Sequence, residues 1–228
     1  RQVAIGWRAL QYSGNSTPGY RGNNHTAIGN NCMNNLSIYS NYNTAVGDAA
    51  MQYATAGFNC AFGYGALRSG SGEINTSLCM DALNNTSGSW NVAIGYQSLR
   101  NMTYISNQVA IGYQALYLNG HGQDCTAVGY QAAYNNNIGD DICAFGGESL
   151  KNSTGHANAA FGYKSLLDCT GASGAYNSAF GTNSLENVSS GGYNVGIGYN
   201  VGSNLQTGSN NIIIGSGVDV PSATTSNQ

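Results

Sequence analysis

The sequence predicts an all-β fold: a parallel β-solenoid, or β-roll, of about thirteen coils with 16–19-residue repeats, expected to assemble as a homotrimer. Three observations predict it. A glycine recurs at Gly6, Gly29, Gly47, Gly63, Gly95, Gly112, Gly129, Gly146, Gly162, Gly181, Gly198 and Gly215, with Cys79 in the remaining place. A short apolar motif precedes each of these positions, as in Val92-Ala93-Ile94-Gly95. A second apolar residue follows four positions later, as at Leu67, Leu99, Leu116 and Leu150.

The residue types define the coil. The residue before the glycine is large and apolar: Ile5, Ile28, Val46, Phe62, Leu78, Ile94, Ile111, Val128, Phe145, Phe161, Phe180, Ile197 and Ile214. The one before that is small, with Ala in ten copies. The third is mostly Val, Thr or Cys. Such alternation is the period-2 pattern of a strand. The reading is therefore a strand, a tight turn, a shorter strand carrying the second apolar residue, and a variable loop. Large residues are expected to point inward. Small ones, such as Ala93, Ala110 and Ala127, are expected to form a smooth outer face for the trimer.

A helix fits poorly. The period is too short for two helices, and Gly at 33 of 228 positions would weaken any helix it entered. An asparagine stands four residues before the glycine at Asn43, Asn59, Asn75, Asn91, Asn158, Asn177, Asn194 and Asn211. Amides repeated at strand spacing can hydrogen-bond along the stack. Thirteen coils rising roughly 4.8 Å each would make a rod on the order of 60 Å long.

Along the chain, residues 12–24 read as an excursion loop containing Pro18. Residues 92–129 are the most regular. Gly202 stands where Leu is expected, so the last coils lose the second apolar residue. Residues 1–217 form the repeat array. Residues 218–228, with Pro221, are expected to leave it as an extended segment toward a following module. Because Val3 already occupies a strand position, the chain reads as a fragment of a longer protein.

Composition excludes several classes. Charged residues make up 7% and net charge is -3, so there is no basic field for nucleic acid. No segment approaches the roughly 18 apolar residues of a membrane helix. Cys60 and Cys143 occupy the strand slot usually held by Val or Thr, and no two of the six cysteines share a slot in adjacent coils. They read as free, mostly buried thiols, which suits folding in a reducing cytoplasm; irregular bridges in a secreted protein are the other reading.

No catalytic, cofactor or metal site is expected. His25, His121 and His156 lie in different coils without a partner at ligand spacing and read as solvated. Asp140-Asp141 lacks the alternating oxygen ligands of a calcium loop. No carboxylates cluster as a polysaccharide-cutting enzyme would need. Aromatic residues follow the glycine at Trp7, Tyr64, Tyr96, Tyr113, Tyr130, Tyr163 and Tyr199. Stacking between coils explains such a ladder; a platform for sugar rings is the alternative, and would make Tyr64, Tyr96, Tyr113, Tyr130, Tyr163 and Tyr199 the contact residues. Sequons at Asn15, Asn24, Asn35, Asn75, Asn85, Asn101, Asn152 and Asn187 read mostly as accidents of composition.

The unit at Val3-Ala4-Ile5-Gly6, Val92-Ala93-Ile94-Gly95 and Val109-Ala110-Ile111-Gly112 resembles the head repeat of trimeric autotransporter adhesins. The resemblance implies a trimer of left-handed parallel β-rolls that binds host surfaces. Those heads repeat at about fourteen residues. The longer units here, with the closing stretch from Asn210 to Thr224, are more similar to repeat regions of bacteriophage tail fibres and related virion proteins. The implied function is a structural and adhesive segment of an extracellular attachment fibre, on a virion or cell surface. Its partners would be further copies, neighbouring fibre domains and a host glycan or protein receptor. The head of a bacterial surface adhesin is the alternative. An ice-binding monomer fits less well, because Thr26, Thr44, Thr76 and Thr126 form an interrupted row.

Overall fold

The computed structural model describes residues 1–11, 23–35, 40–171 and 174–228. The predicted excursion after the first coil, with Asn15, falls almost wholly on residues 12–22, outside the described residues. The described residues contain no helix. They form a parallel β-solenoid divided into two units, Arg1–Ala110 and Ile111–Gln228. In the first unit the strands are β1 (Gln2–Ile5), β2 (His25–Ile28), β3 (Thr44–Val46), β4 (Cys60–Phe62), β5 (Ser69–Gly70), β6 (Thr76–Leu78), β7 (Asn85–Thr86) and β8 (Val92–Ile94). The unit boundary falls within β9 (Val109–Ile111). The second unit holds β10 (Thr126–Val128), β11 (Cys143–Phe145), β12 (Ala159–Phe161), β13 (Ser178–Phe180), β14 (Val195–Ile197) and β15 (Ile212–Ile214).

Register is uniform. Ala27 pairs with Ala45 and Ala45 with Ala61 in the first unit. Ala127 pairs with Ala144, Ala144 with Ala160 and Ala160 with Ala179 in the second. Each coil therefore stacks like on like. Strands β5 and β7 make a second, two-stranded parallel sheet.

The strand faces opposite to the sequence expectation. From the second coil onward the small residues point inward: Ala27, Ala45, Ala61, Ala93, Ala110, Ala127, Ala144, Ala160 and Ala179 are wholly buried. The large residues expected inside point outward, and Ile5, Phe62, Phe145, Phe180, Ile197 and Ile214 are exposed. The second apolar position does fill the interior, with Met33, Met51, Leu67, Leu83, Leu99, Leu116, Leu150, Leu166 and Leu185 completely buried, and Met102, Ile105, Ile142, Val188 and Leu205 add to it at the corners.

The reason is the thinness of the coil. A Cβ added to Gly196 would lie 2.6 Å from Leu185 Cγ and 2.8 Å from Ser184 Oγ. The inward strand position thus abuts the leucine across the interior, and the space holds one large side chain but not two. The last coil reverses the pair. Gly202 replaces the leucine, and Ile213, almost buried, replaces the alanine. A Cβ on Gly202 would fall 2.9 Å from Ile213 Cδ1. Volume is conserved while its source moves from one side of the coil to the other.

The predicted shorter strand after the glycine is instead a turn. Leu67, Leu99 and Leu116 have φ of 48°, 50° and 50°, and Gln97 and Gln114 two residues earlier have 56° and 53°. A left-handed leucine costs about 1–2 kcal/mol, which burying its side chain, worth about 1.5–3 kcal/mol, offsets. The turn still bonds coil to coil, as Leu67 N donates to Ala82 O at 3.0 Å and Leu150 N to Ser165 O at 3.0 Å. The glycine itself is sterically required at Gly29, where φ is 137° and a Cβ would fall 2.4 Å from Gly47 O. Cys79 occupies this place in its coil with φ of 102°.

The asparagine column is confirmed and does more than stack amides. Asn59 Oδ1 accepts the backbone N–H of Asn75 at 2.8 Å, and its Nδ2 donates to Gly72 O at 3.0 Å. Asn194 N donates to Asn177 Oδ1 at 2.9 Å, while Asn194 Nδ2 donates to Gly208 O at 2.9 Å. Each buried amide ties one coil to the next and closes the corner of the coil. Where Cys125 and Ile142 take the column, Asn119 and Asn136 move to the corner. Asn119 accepts from Gly122 N at 3.0 Å and Asn136 from Gly139 N at 2.9 Å.

Residues 218–228 do not run away from the stack. Gly202 N donates to Val218 O at 2.8 Å, Ile212 N to Gln228 O at 2.8 Å, and Gln228 N to Asn211 Oδ1 at 3.1 Å. Gln228 thus occupies the asparagine column, and the segment forms part of a further coil.

The size exchange in the last coil can be tested by a double-mutant cycle in denaturant unfolding. Ile213→Ala should cost about 2–4 kcal/mol through the cavity it leaves. Gly202→Leu should cost about 1–3 kcal/mol through overpacking. Together they restore the arrangement of the other coils, so the double variant should be more stable than either single one. Strict additivity would show that the two positions do not share one space.

Candidate functional site

The outward side of each coil is the place to look, since the interior is filled. Along residues 42–48 the chain alternates exposed and buried: Tyr42 out, Asn43 in, Thr44 half out, Ala45 in, Val46 half out, Asp48 out. Stacking turns each outward position into a column. The predicted aromatic column lies here. Tyr64, Tyr113, Tyr130, Tyr163 and Tyr199 are exposed, as is Trp7, and Tyr96 is half-exposed.

The column is brought together only in part. Tyr113 and Tyr130 stack with centroids 5.3 Å apart and planes at 11°. Gly147 interrupts the run, and Tyr163 leans over it, 3.3 Å from where a Cβ would stand. Lys164 Nζ lies 5.4 Å from the Tyr163 ring centre, within cation–π range. Beside this column, Phe145, Phe161 and Phe180 stack at 5.2 and 4.9 Å.

A second outward column was missed. It precedes the ladder asparagine and holds Tyr42, Phe58, Ile74 and Trp90 in the first unit and Tyr176 and Tyr193 in the second. All six are exposed and all have left-handed φ, between 56° and 61°. Tyr42 stacks on Phe58 at 5.2 Å and Tyr176 on Tyr193 at 4.9 Å. The signal was present, since each is a large apolar residue directly before an asparagine of the column.

The titratable groups are absorbed by the scaffold. Asp140 Oδ1 accepts from Gln123 N at 2.8 Å, and Asp140 N donates to His156 Nδ1 at 3.2 Å. Asp140 and His156 thus extend a ladder in which Ser89 and Ser209 play the same part, accepting from Glu73 N and Gly192 N. His25, expected to be solvated, is buried in the asparagine column, and its Nδ1 accepts from Asn43 N at 3.3 Å. Its Nε2 is buried without a hydrogen-bond partner. Among the described residues no group of three or more His, Cys, Asp or Glu is placed to hold a metal.

All six cysteines carry free thiols. Burial pushes Cys32 up to about 11, and Cys125 and Cys169 up to about 12. These three are protonated at neutral pH and poor nucleophiles. Cys60 and Cys143 are half-buried on the outward face, and Cys79 is exposed. Of the sequon asparagines, Asn85, Asn101 and Asn187 are exposed and Asn75 is buried.

No family model, no curated protein and no solved structure matches this chain.

His25 gives the fold a pH dependence of defined sign. Burial pushes its imidazole below the usual value of 6.5, and the positive amino terminus adds to that. The backbone of Ser40 acts the other way, by a smaller amount. The unfolded chain therefore takes up the proton first. Stability should be full above 6.5 and fall as the pH drops below it. His25→Asn restores the residue used elsewhere in the column. Thermal melts from neutral to mildly acidic pH should show a shallower loss for this variant, and equal slopes would mean that His25 is protonated without penalty.

Proposed function

We propose that this chain is a structural and adhesive segment of an extracellular attachment fibre, of the phage or virion tail-fibre kind, working as a homotrimer. The observation that carries the reading is the repeated outward display of apolar and aromatic columns within each stacked unit. Ladders of hydrogen bonds make each unit stiff along its stack, which suits projection of a binding surface. The low charge suits contact with neutral surface polymers. The exposed tyrosines, above all Tyr113 with Tyr130, offer flat apolar faces of the kind that pack on sugar rings. The head of a bacterial trimeric adhesin is the second reading, favoured by the Val-Ala-Ile-Gly motif on the outward strand. In either case the chain folds with free thiols before it reaches the outside, and its partners are further copies, neighbouring fibre domains and a surface glycan or protein.

Binding of the labelled, purified assembly to a panel of intact bacteria tests this. Saturable binding to some members, competed by their extracted surface polysaccharide, is the expected result. Replacing Tyr113 and Tyr130 with Ala should weaken it by about tenfold or more. Absence of saturable binding across the panel would contradict the adhesive reading.

A further inference from the structure

Between residues 42 and 96 the outward columns merge into one wall. Its corner column is Tyr42, Phe58, Ile74 and Trp90. The strand contributes Val46, Phe62, Leu78 and Ile94, and Asp48, Tyr64, Met80 and Tyr96 lie beyond the glycine turn. Seven of these side chains are 40–59% exposed. At about 150–250 Å² for a large side chain they leave on the order of 700 Å² of apolar surface, more than soluble monomers ordinarily display in one patch.

The corner column carries a second signal. Its residues have φ of 56° to 61°, a region disfavoured for side chains with a Cβ and most of all for β-branched Ile74. In six other coils the same slot holds residues that tolerate this backbone, Asn24, Asn107, Asp124, Asp141, Asn210 and Asn227, while Ala157, Tyr176 and Tyr193 fill it in three coils of the second unit. Four consecutive coils thus place large apolar residues in a strained position and expose them. Tyr42 and Phe58 recover some of that by stacking, but Ile74 and Trp90 remain 51% and 59% exposed. Strain that brings no burial within the fold points to an external contact.

We infer that this wall is the seat of a second copy of the chain, packed coil against coil. The inference rests on the homo-oligomer in the proposed function and assigns its contact face. Three features select this occupant. Asp48 is the one charged residue among the corner, strand and post-turn columns of these coils, and apart from the tyrosine hydroxyls the polar or thiol side chains of the corner and strand columns are Thr44, Cys60 and Thr76. A small polar ligand would find few groups to orient it. The exposed area is close to the roughly 800 Å² that each partner contributes to a standard interface. The side chains also repeat once per coil, at roughly 4.8 Å. Only a partner with the same rise keeps its ridges in these grooves over four coils, and another copy has that rise.

The test uses the full chain carrying Ile74→Asn and Trp90→Asn, and separately Trp90→Asp, residues the chain already places in this slot. Both changes relieve the strained backbone, so the melting temperature of the dissociated chain should hold or rise. Sedimentation equilibrium should show association weakened by about tenfold or more in each variant. Unchanged assembly in variants that keep the wild-type circular dichroism would overturn the inference, as would a wild-type chain that is monomeric at micromolar concentration. Cell binding by a monomeric wild type would remove this interface and leave the attachment reading. An assembly that depends on Ile74 and Trp90 but binds no cell would do the reverse.

Discussion

One interaction underlies the rest of the architecture: the buried asparagine amide that links successive coils. Interiors this narrow offer little apolar volume. Each coil buries only a few large side chains, and the small residues around them contribute little area. Backbone polar groups at the corners of the coil are nevertheless out of water and must be paired. Asn75 shows how one residue meets several of these needs. Its N–H donates to Asn59 Oδ1 at 2.8 Å, its Nδ2 to Gly88 O at 3.0 Å, and its Oδ1 accepts from Asn91 N at 3.0 Å. With those contacts in place, coils stack in fixed register, and register in turn aligns every outward position into a column.

The surface follows from that alignment. The strand sends alternate residues outward, and the coil interior has no room for them. Phe145, Phe161 and Phe180 therefore lie stacked on the outside. A fold with a thicker core would have swallowed these side chains. Here the requirement for small inward residues makes one face of the stack apolar, and association becomes the natural way to cover it. Stacking in register and an exposed apolar face thus share one origin, which is what supports the proposed fibre segment.

Much of this could be read from the residues. The glycine and asparagine columns identify themselves, because the close approach of successive turns leaves no room for a Cβ at positions such as Gly29 and the buried corner calls for an amide, and both recur at fixed distance from the strand. The facing of the strand could not be read by assuming that large residues lie inside. Alternation separates Ile94 and Val92 from Ala93 without saying which set is inside, and in a thick core the usual choice would have held. The correlated exchange at Gly202 and Ile213 was the clue, since the inward position gains bulk only where the leucine is lost. The corner column escaped because left-handed positions are expected to hold Gly or Asn, and Ile74 and Trp90 break that rule. His25 was read as solvated because a lone histidine gives no sign that its Nδ1 can replace an asparagine oxygen. The bonding of residues 218–228 was obscured by Pro221, although Gln228 stands where the column requires an acceptor.

The central claim is that polar pairing at the asparagine column outweighs apolar burial in holding the coils together, and Asn194→Leu tests it most directly. The leucine is similar in size and more apolar, but it strands the Asn211 N–H and the Gly208 carbonyl that Asn194 now pairs at 3.1 and 2.9 Å. Two unpaired buried groups at about 1–3 kcal/mol each predict a loss of about 2–6 kcal/mol in denaturant unfolding. A variant as stable as the wild type, or more stable, would contradict the account and show that the stack is held by its apolar contacts.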